Sequence, residues 1–423
     1  DSMSQSNVLV RERVTRIGLE TTFGTTPAGS FPEVMTPVLA LGDDLILEGL
    51  AQEMLPVGDE RVRRLDAIHP VHGLKIGSKI GALKCLLKAV PSAAQMTASG
   101  TAGSLSPRII LRHALGTEHV AVGSTVATGT SATAFDVQAA DGLNFEKGDF
   151  ILVTISGEPE WTQITNVSTD TLTVSPALSA TPATSAVVRQ LYNFVPAESH
   201  SNSLAVSQAF VGDSAAQVTA NGCFGDISFE MPEFGKLPSM SLSLTATNFT
   251  GPSAQSISVA AVTDEMGASF AWAPKVYLAA SVDRATSLVC EGASIEFVNG
   301  WEMVRDPGAV QTVNSVVNTG GRPVAVKANI KLRFDSAYPT AFTADTAYRL
   351  VIVQKVGTGA TASFWIWSLP AARIVAQPKL TKIGSRLHME LMLEGTPSSL
   401  ITDAGETGAD ADRIHAPLYV ALG

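Results

Sequence analysis

Val324-Ala-Val326-Lys327-Ala328-Asn329-Ile330-Lys331-Leu332-Arg333-Phe334 alternates without a break. Every even-numbered position is apolar, while Lys327, Asn329, Lys331 and Arg333 fall on the opposite side. A period of two is the mark of a strand with one buried face. At about 3.3 Å per residue this strand would run roughly 35 Å, well beyond the usual five or six residues. The same pattern recurs in Met240-Ser-Leu-Ser-Leu-Thr-Ala-Thr247, where hydroxyls and aliphatics take turns. Leu387-His-Met-Glu-Leu391, Asp226-Ile-Ser-Phe-Glu-Met231 and Ile295-Glu-Phe297 behave alike. These are antiparallel-type strands, because parallel strands covered on both faces read as continuous apolar runs.

Helical periodicity is scarce by comparison. From about Lys79 to Val90, Ile80, Leu83, Leu87 and Val90 fall on one stripe, with Ser78 as an N-cap and Pro91 as a stop. A second helix is expected over Ser336 to Ala347, with Tyr338 and Phe342 four apart and Asp335 ahead of it. The expected class is therefore mainly β: a barrel or sandwich core with one or two packed helices.

Residues 117–191 read as a separate small all-β module inserted into that core. The segment opens with Gly123-Ser-Thr-Val-Ala-Thr-Gly-Thr-Ser-Ala132 and closes with the Ser/Thr/Pro/Ala stretch Ser179 to Ser185. Strands are expected at Phe150–Ile155, Trp161–Ile164 and Thr171–Val174. The turns Lys147-Gly-Asp149, Gly157-Glu-Pro159 and Ser168-Thr-Asp170 punctuate them at hairpin spacing. The chain then divides into core residues 1–116, a barrel- or immunoglobulin-like module 117–191 facing outward, and core residues 192–423. An internal echo links Cys223-Phe-Gly-Asp-Ile227-Ser-Phe229 with Cys290-Glu-Gly-Ala-Ser-Ile295-Glu-Phe297, each followed by a long alternating strand. Such an echo would mark a duplicated half-barrel.

Composition narrows the function. Only 16% of the 423 residues are charged, against roughly 25% in an average soluble protein. A bare skin of that kind suits a surface covered by partners. The net charge of −10 repels a phosphate backbone unless basic residues segregate, and the best cluster, Arg61, Arg63 and Arg64, is flanked by Glu60 and Asp66. Cys85, Cys223 and Cys290 are too few and too scattered for a disulfide framework or a zinc site. Cys85 itself reads as a small buried residue rather than a reactive thiol. With no signal peptide visible and no apolar run of eighteen residues, the expectation is synthesis in a reducing cytoplasm without membrane insertion.

Catalytic signatures are missing from the pattern. Gly267-Ala-Ser269-Phe-Ala271 lacks the last glycine of a nucleophile elbow. Gly357-Thr-Gly359-Ala-Thr-Ala362 follows Leu350-Val-Ile-Val353 like a dinucleotide fingerprint. However, Ser363-Phe-Trp-Ile-Trp367 after it reads as a strand, so a β-hairpin turn is expected. His69-Pro-Val-His72 is a loop pair without metal, since Pro70 disfavours the helix that would align the rings. Asp403, Glu406, Asp410 and Asp412 lack calcium-loop spacing and read as a solvated loop. Trp365 and Trp367 share one strand face, which reads as core, with an interface or ligand face as the alternative. A carbohydrate-active enzyme would need carboxylates near that pair. The expectation is no catalytic residue, no cofactor and no metal ligand.

Arg13-Val-Thr-Arg16-Ile-Gly18-Leu-Glu20-Thr-Thr22-Phe-Gly24-Thr-Thr-Pro27 resembles the opening of the tail tube proteins of long-tailed bacteriophages. In that family a short strand leads into a Glu-Thr-Thr-aromatic-Gly-Thr-Pro turn. The Ala82-Leu-Lys-Cys-Leu-Leu87 stretch is similar to a helix that packs on the family's sheet. Gly222-Cys223 and Leu369-Pro370-Ala-Ala-Arg373-Ile374 resemble segments of its later strands. The resemblance implies a non-enzymatic virion protein that forms hexameric rings, or trimeric rings of pseudo-sixfold symmetry when duplicated. The rings stack into the conduit for genome ejection. It also implies tape measure, tail terminator and distal tail proteins as partners, with DNA sliding through the lumen without specific binding. A β-sandwich surface adhesin or a virion decoration protein shares the composition and stands as the alternative.

Overall fold

A computed structural model describes residues 13–20, 22–25, 78–86, 106–189, 191–196, 203–210, 216–231, 239–246, 248–254, 274–298, 301–305, 313–318, 325–356, 358–359, 362–383, 385–396 and 416–423. Their 24 strands form one sixteen-stranded sheet, a two-stranded ribbon (β17, Trp301–Arg305; β18, Val313–Asn318) and a closed six-stranded barrel. The fold is mainly β.

The alternating run becomes β19 (Ala325–Arg333). Val326, Ala328, Ile330 and Leu332 are buried, while Lys327 and Arg333 are exposed. It pairs antiparallel with β16 (Cys290–Val298) on one side and β23 (Arg386–Thr396) on the other. The register sets Lys327 between Glu296 and Glu394 on the outer face. Opposite charges so placed contribute roughly 0.2–1 kcal/mol per pair and fix the register. The longest strand, β12 (Ala216–Met231), serves two sets of neighbours. Its first half pairs with β11 (Leu204–Phe210) and β14 (Asn248–Ala254), its second with β13 (Ser239–Ala246) and β16. The change of partner falls at Gly222, whose φ of 60° a side chain would strain. Beyond β11 lies β1 (Arg13–Leu19).

The two echo segments are neighbours. Ile227 pairs with Phe297 and Phe229 with Ile295, so equivalent residues cross-pair about a local twofold between β12 and β16. Their partners β13 and β19 flank them symmetrically.

Two helical expectations need revision. Residues 78–86 form a strand, β2 (Ser78–Leu86), paired with β13 so that Leu83 lies opposite Leu242. Gly81 weakens a helix there, and the backbone edge of β13 offers hydrogen bonds that outweigh a short apolar stripe. The register sets Cys85 opposite Met240. Residues 87–91 lie outside the described set. A helix that the reading missed, α1 (Ser106–Leu115), has Pro107 in its first turn and Gly116 just past its end at φ 88°. That is the usual Pro-start, Gly-stop asymmetry. Its buried stripe of Ile110, Leu111, Ala114 and Leu115 packs on β1, β12 and β10 (Leu191–Pro196). The expected second helix is present but shorter, as α2 (Ala337–Thr343), with Asp335 Oδ1 accepting the Ala337 N–H and Tyr338 buried. Among the described residues no helix is long and apolar enough to cross a membrane.

Strand β3 (Gly116–Ala121) pairs with β10 in the main sheet, and the barrel is spliced between them. Its strands are β4 (Ser124–Gly129), β5 (Ala134–Val137), β6 (Phe150–Ile155), β7 (Glu158–Ser168), β8 (Thr171–Ser175) and β9 (Val187–Arg189), closed in the order β4-β5-β8-β7-β6-β9. Ser156 (φ 51°) and Gly157 (φ 87°) make the β6–β7 turn, both left-handed as a tight hairpin demands. Glu158 and Pro159, expected in that turn, therefore begin β7 instead. Ile151, Val153 and Ile155 fill the barrel with Val126, Phe135, Ile164 and Leu172.

The other face of β6 explains the position of the barrel. Phe150 and Leu152, with Trp161 from β7, pack on the outer face of the main sheet. That face is built from β10, β15 (Lys275–Ala279), β20 (Ala347–Val356), β21 (Ser363–Ile374) and β24 (Tyr419–Leu422). Leu350 and Ile352 point into the main core while Val351 and Val353 point into the seam. Trp365 and Trp367 likewise face the core, and Phe364 and Ile366 the seam. Strands β20 and β21 are joined as an antiparallel hairpin across residues 357–362, as expected, with no helix after the glycines.

Candidate functional site: the seam between barrel and sheet

The seam is largely apolar, with one arginine buried inside it and further cations nearer its edge. Asn193, on β10, imitates a neighbouring strand: the Phe150 N–H donates to its Oδ1 at 2.8 Å, and its Nδ2 donates to Phe150 O at 3.2 Å. Arg349, on β20, is 3% exposed and donates to Gln163 Oε1 at 2.7 Å and to Ser175 of the barrel. Burial lowers its pKa to about 10, so the guanidinium stays charged at neutral pH inside a nearly dry interface. In the reverse direction Arg189 of the barrel donates to Ala362 O at 2.6 Å.

At one end the seam opens into a cleft of about 700 Å³. Trp161, Tyr277 and Phe364 form its floor, with the Trp161 and Tyr277 rings 5.4 Å apart. Burial raises the Tyr277 pKa, against a hydrogen bond from the Trp161 indole and the nearby Arg284 charge. Arg284 closes one wall. It donates to Trp161 O at 2.7 Å, donates to Ala177 O, and pairs with Glu160 at 2.9 Å. Burial lowers the Arg284 pKa, while Glu160 opposes that shift. On the opposite wall Lys355 pairs with Glu158 at 2.9 Å and lies over the Phe364 ring. The hydrogen bond and charge of Lys355 hold the Glu158 carboxyl below its ordinary value. Each of these charged groups is already engaged across the seam. The chemistry they perform is clamping, strengthened by desolvation at Arg349 and Arg284, whereas the Lys355–Glu158 pair is exposed and contributes little.

A further clamp sits where β3 meets the barrel. His119 Nδ1 lies 2.7 Å from Asp149 Oδ2 and its Nε2 lies 3.3 Å from Glu146 Oε1. Asp149 is fully buried and also accepts the Glu146 N–H at 3.0 Å. Ligand atoms of the three side chains lie within 4.8 Å of one another, so this is the place among the described residues where a divalent cation could be held. Both ring nitrogens already face carboxylates, and an ion would have to displace one of them.

The N-terminal motif is placed elsewhere, in a buried knot. Glu20 accepts the Gly24 N–H at 2.7 Å, the Gly222 N–H at 2.8 Å and the Ser203 hydroxyl at 2.5 Å. Burial raises its pKa, and those three donors oppose the rise. Phe23 packs on Phe224, 5.7 Å between ring centres. The motif thus ties the end of β1 to the bend of β12. Two cysteines are inert by burial: the Cys223 thiol is pushed well above its ordinary value and Cys290 to about 11. Trp365 and Trp367 are core, each stacked on Phe229 at 5.5 and 4.6 Å, which removes the alternative of a ligand face. The His69–His72 pair, the Arg61–Arg64 cluster and the acidic residues 403–412 lie outside the described residues.

Sequence reasoning missed the seam. The Lys147-Gly-Asp149 turn was legible, but His119 is thirty residues away and Arg349 is 186 residues from Gln163. The one available signal was the continuous apolar runs, which state that a second face is covered without naming the cover. In comparisons with known proteins, no family model matches this chain and no curated protein matches it.

Proposed function

We propose that this chain is the ring-forming subunit of the tail tube of a long-tailed phage, a structural virion protein whose rings stack into the conduit for DNA ejection. The observation that carries the reading is an unfinished sheet. Among the described residues β1, β2, β3, β14 and β22 (Lys379–Ile383) each pair on one side only, and the main sheet does not close. Unpaired strand edges are templates for pairing with further copies. A head-to-tail contact of that kind grows into rings or filaments. A charged fraction of 16% suits a surface consumed by neighbours, and a net charge of −10 per copy suits a lumen that DNA must leave. The crossed register of Ile227 and Phe229 with Phe297 and Ile295 is a twofold relation inside one sheet and does not set the ring symmetry, so this reading carries hexameric rings, or trimeric rings of pseudo-sixfold symmetry for a duplicated chain. Tape measure, terminator and distal tail proteins are the partners that this reading brings, and the virion tail is the location.

The cleft at the seam favours a second reading, a binding module such as an adhesin or decoration protein. Mass photometry across a concentration series separates the two. The tube reading expects growth from the monomer into multiples of three or six chains. A monomer at every concentration, together with binding on a glycan array, would replace it with the second reading.

A further inference from the structure

Among the described residues nine large apolar side chains are exposed, and four of them, Phe334, Leu380, Leu387 and Leu143, stand in two places of opposite charge. The first is the β22–β23 hairpin, which overhangs the end of the core. Leu380 (58% exposed) pairs with Met389, and Leu387 (45%) meets Phe334 (45%), whose N–H donates to Leu387 O. Leu387 continues the buried row Met389, Leu391, Leu393, and Phe334 continues the buried row of β19. These side chains are therefore core-type residues extended past the end of their own core. The hairpin is basic: Lys379, Lys382 and Arg386 are exposed, against the one carboxylate Glu390 between residues 379 and 390.

The second place is the end of the barrel. Leu143 stands 88% exposed on the short 3-10 turn Asp141–Asn144, next to Asp141 and beside Asp170, which accepts the Gly142 N–H at 3.1 Å. Residues 124–189 hold seven carboxylates against Lys147 and Arg189. Arg189, Glu158 and Glu160 are engaged at the seam and Asp149 is buried, which leaves Asp136, Asp141, Asp170 and the His119-paired Glu146 against Lys147 on the rest of the barrel.

We propose that the overhanging β22–β23 hairpin docks onto the Leu143 end of the barrel on a second copy of this chain. The inference rests on the self-assembling reading and names a contact for it. An apolar ridge rimmed by cations meets an apolar knob rimmed by carboxylates, which gives specificity of orientation as well as burial. The two patches differ, so the contact is heterologous: an open assembly keeps one free hairpin and one free barrel end, and closure of a ring uses both. The barrel is then an assembly element rather than a passive decoration.

Two exposed-site variants of the full chain test this. Leu380→Glu with Lys382→Glu spoils the hairpin, and Leu143→Lys spoils the knob. Sedimentation velocity should find that each variant alone stops at a smaller species than the parent, with association at least tenfold weaker. Their equimolar mixture should double that species and grow no further, because one intact hairpin meets one intact knob. Parent-like assembly by either variant, or a mixture no larger than its components, overturns the proposed contact while leaving the tube reading in place. A parent chain that never associates overturns both.

Discussion

Trp161 is the place where docking of the barrel can be separated from folding of the barrel. The side chain is 5% exposed, lies between Phe150 and Tyr277, and contributes nothing to the barrel's own interior. A buried tryptophan covers roughly 150–250 Å², which at about 25 cal/mol per Å² is about 4–6 kcal/mol. Measured losses for such truncations run about 3–5 kcal/mol. Phe150 and Leu152 remain, at about 1.5–3 kcal/mol each, so Trp161→Ala removes about half of the barrel's apolar hold on the sheet. A loss of about 3–5 kcal/mol raises the undocked population by about two to three and a half orders of magnitude. Amide exchange resolved to single residues reads this directly. The Phe150 N–H is held by Asn193 across the seam, whereas the Val137 N–H is held by Asp170 O within the barrel. The variant should lose protection at Phe150 by about two orders of magnitude or more while Val137 stays protected. Equal loss at both amides, or none at Phe150, would refute a separately folded barrel docked by its apolar face.

Glu20 predicts a pH dependence. Burial raises its pKa in the folded chain above the ordinary value of 4.5, so the folded state holds the proton more tightly. Stability should be highest below that value, fall as pH rises through the interval up to the raised pKa, and level off beyond it. Urea titrations of the parent and Glu20→Gln from pH 3.5 to 7 should differ by this slope, and parallel curves would contradict the assignment. Glu20→Ala leaves the Gly24 and Gly222 N–H groups without their acceptor and should cost about 2–4 kcal/mol in the same assay. The thiols give a third check. In a Cys85→Ser background at pH 8, with Cys290 near 11 and Cys223 higher, about one Cys290 in a thousand is thiolate. Alkylation should leave both unmodified until denaturant is added, and a rapidly labelled thiol in the native chain would be the contrary result.

What could be read from the sequence followed from which faces are exposed. β19 was legible because its outer side chains Lys327 and Arg333 meet water while every second residue enters the core. β20, β21 and β24 are antiparallel yet carry unbroken apolar runs, because the barrel covers the face that would otherwise be polar. β2 was misread as helix because Ile80 and Leu83 satisfy a helical stripe, and the pairing that decides the matter belongs to β13, over 150 residues away. α1 carries its own signals in Pro107 and Gly116, but with only ten residues it shows too short a stripe to stand out among strands. The clamps were out of reach for a different reason. A buried arginine and the glutamine it bonds share no periodicity, so Arg349 and Gln163 become partners only when two separately folded sheets meet.

The most direct measurement is negative-stain electron microscopy of the purified full chain, taken to two-dimensional class averages at high protein concentration. Closed rings of threefold or sixfold symmetry with an open centre, stacking into short tubes, are the predicted outcome. Discrete single particles of one chain, unchanged at every concentration, would contradict it.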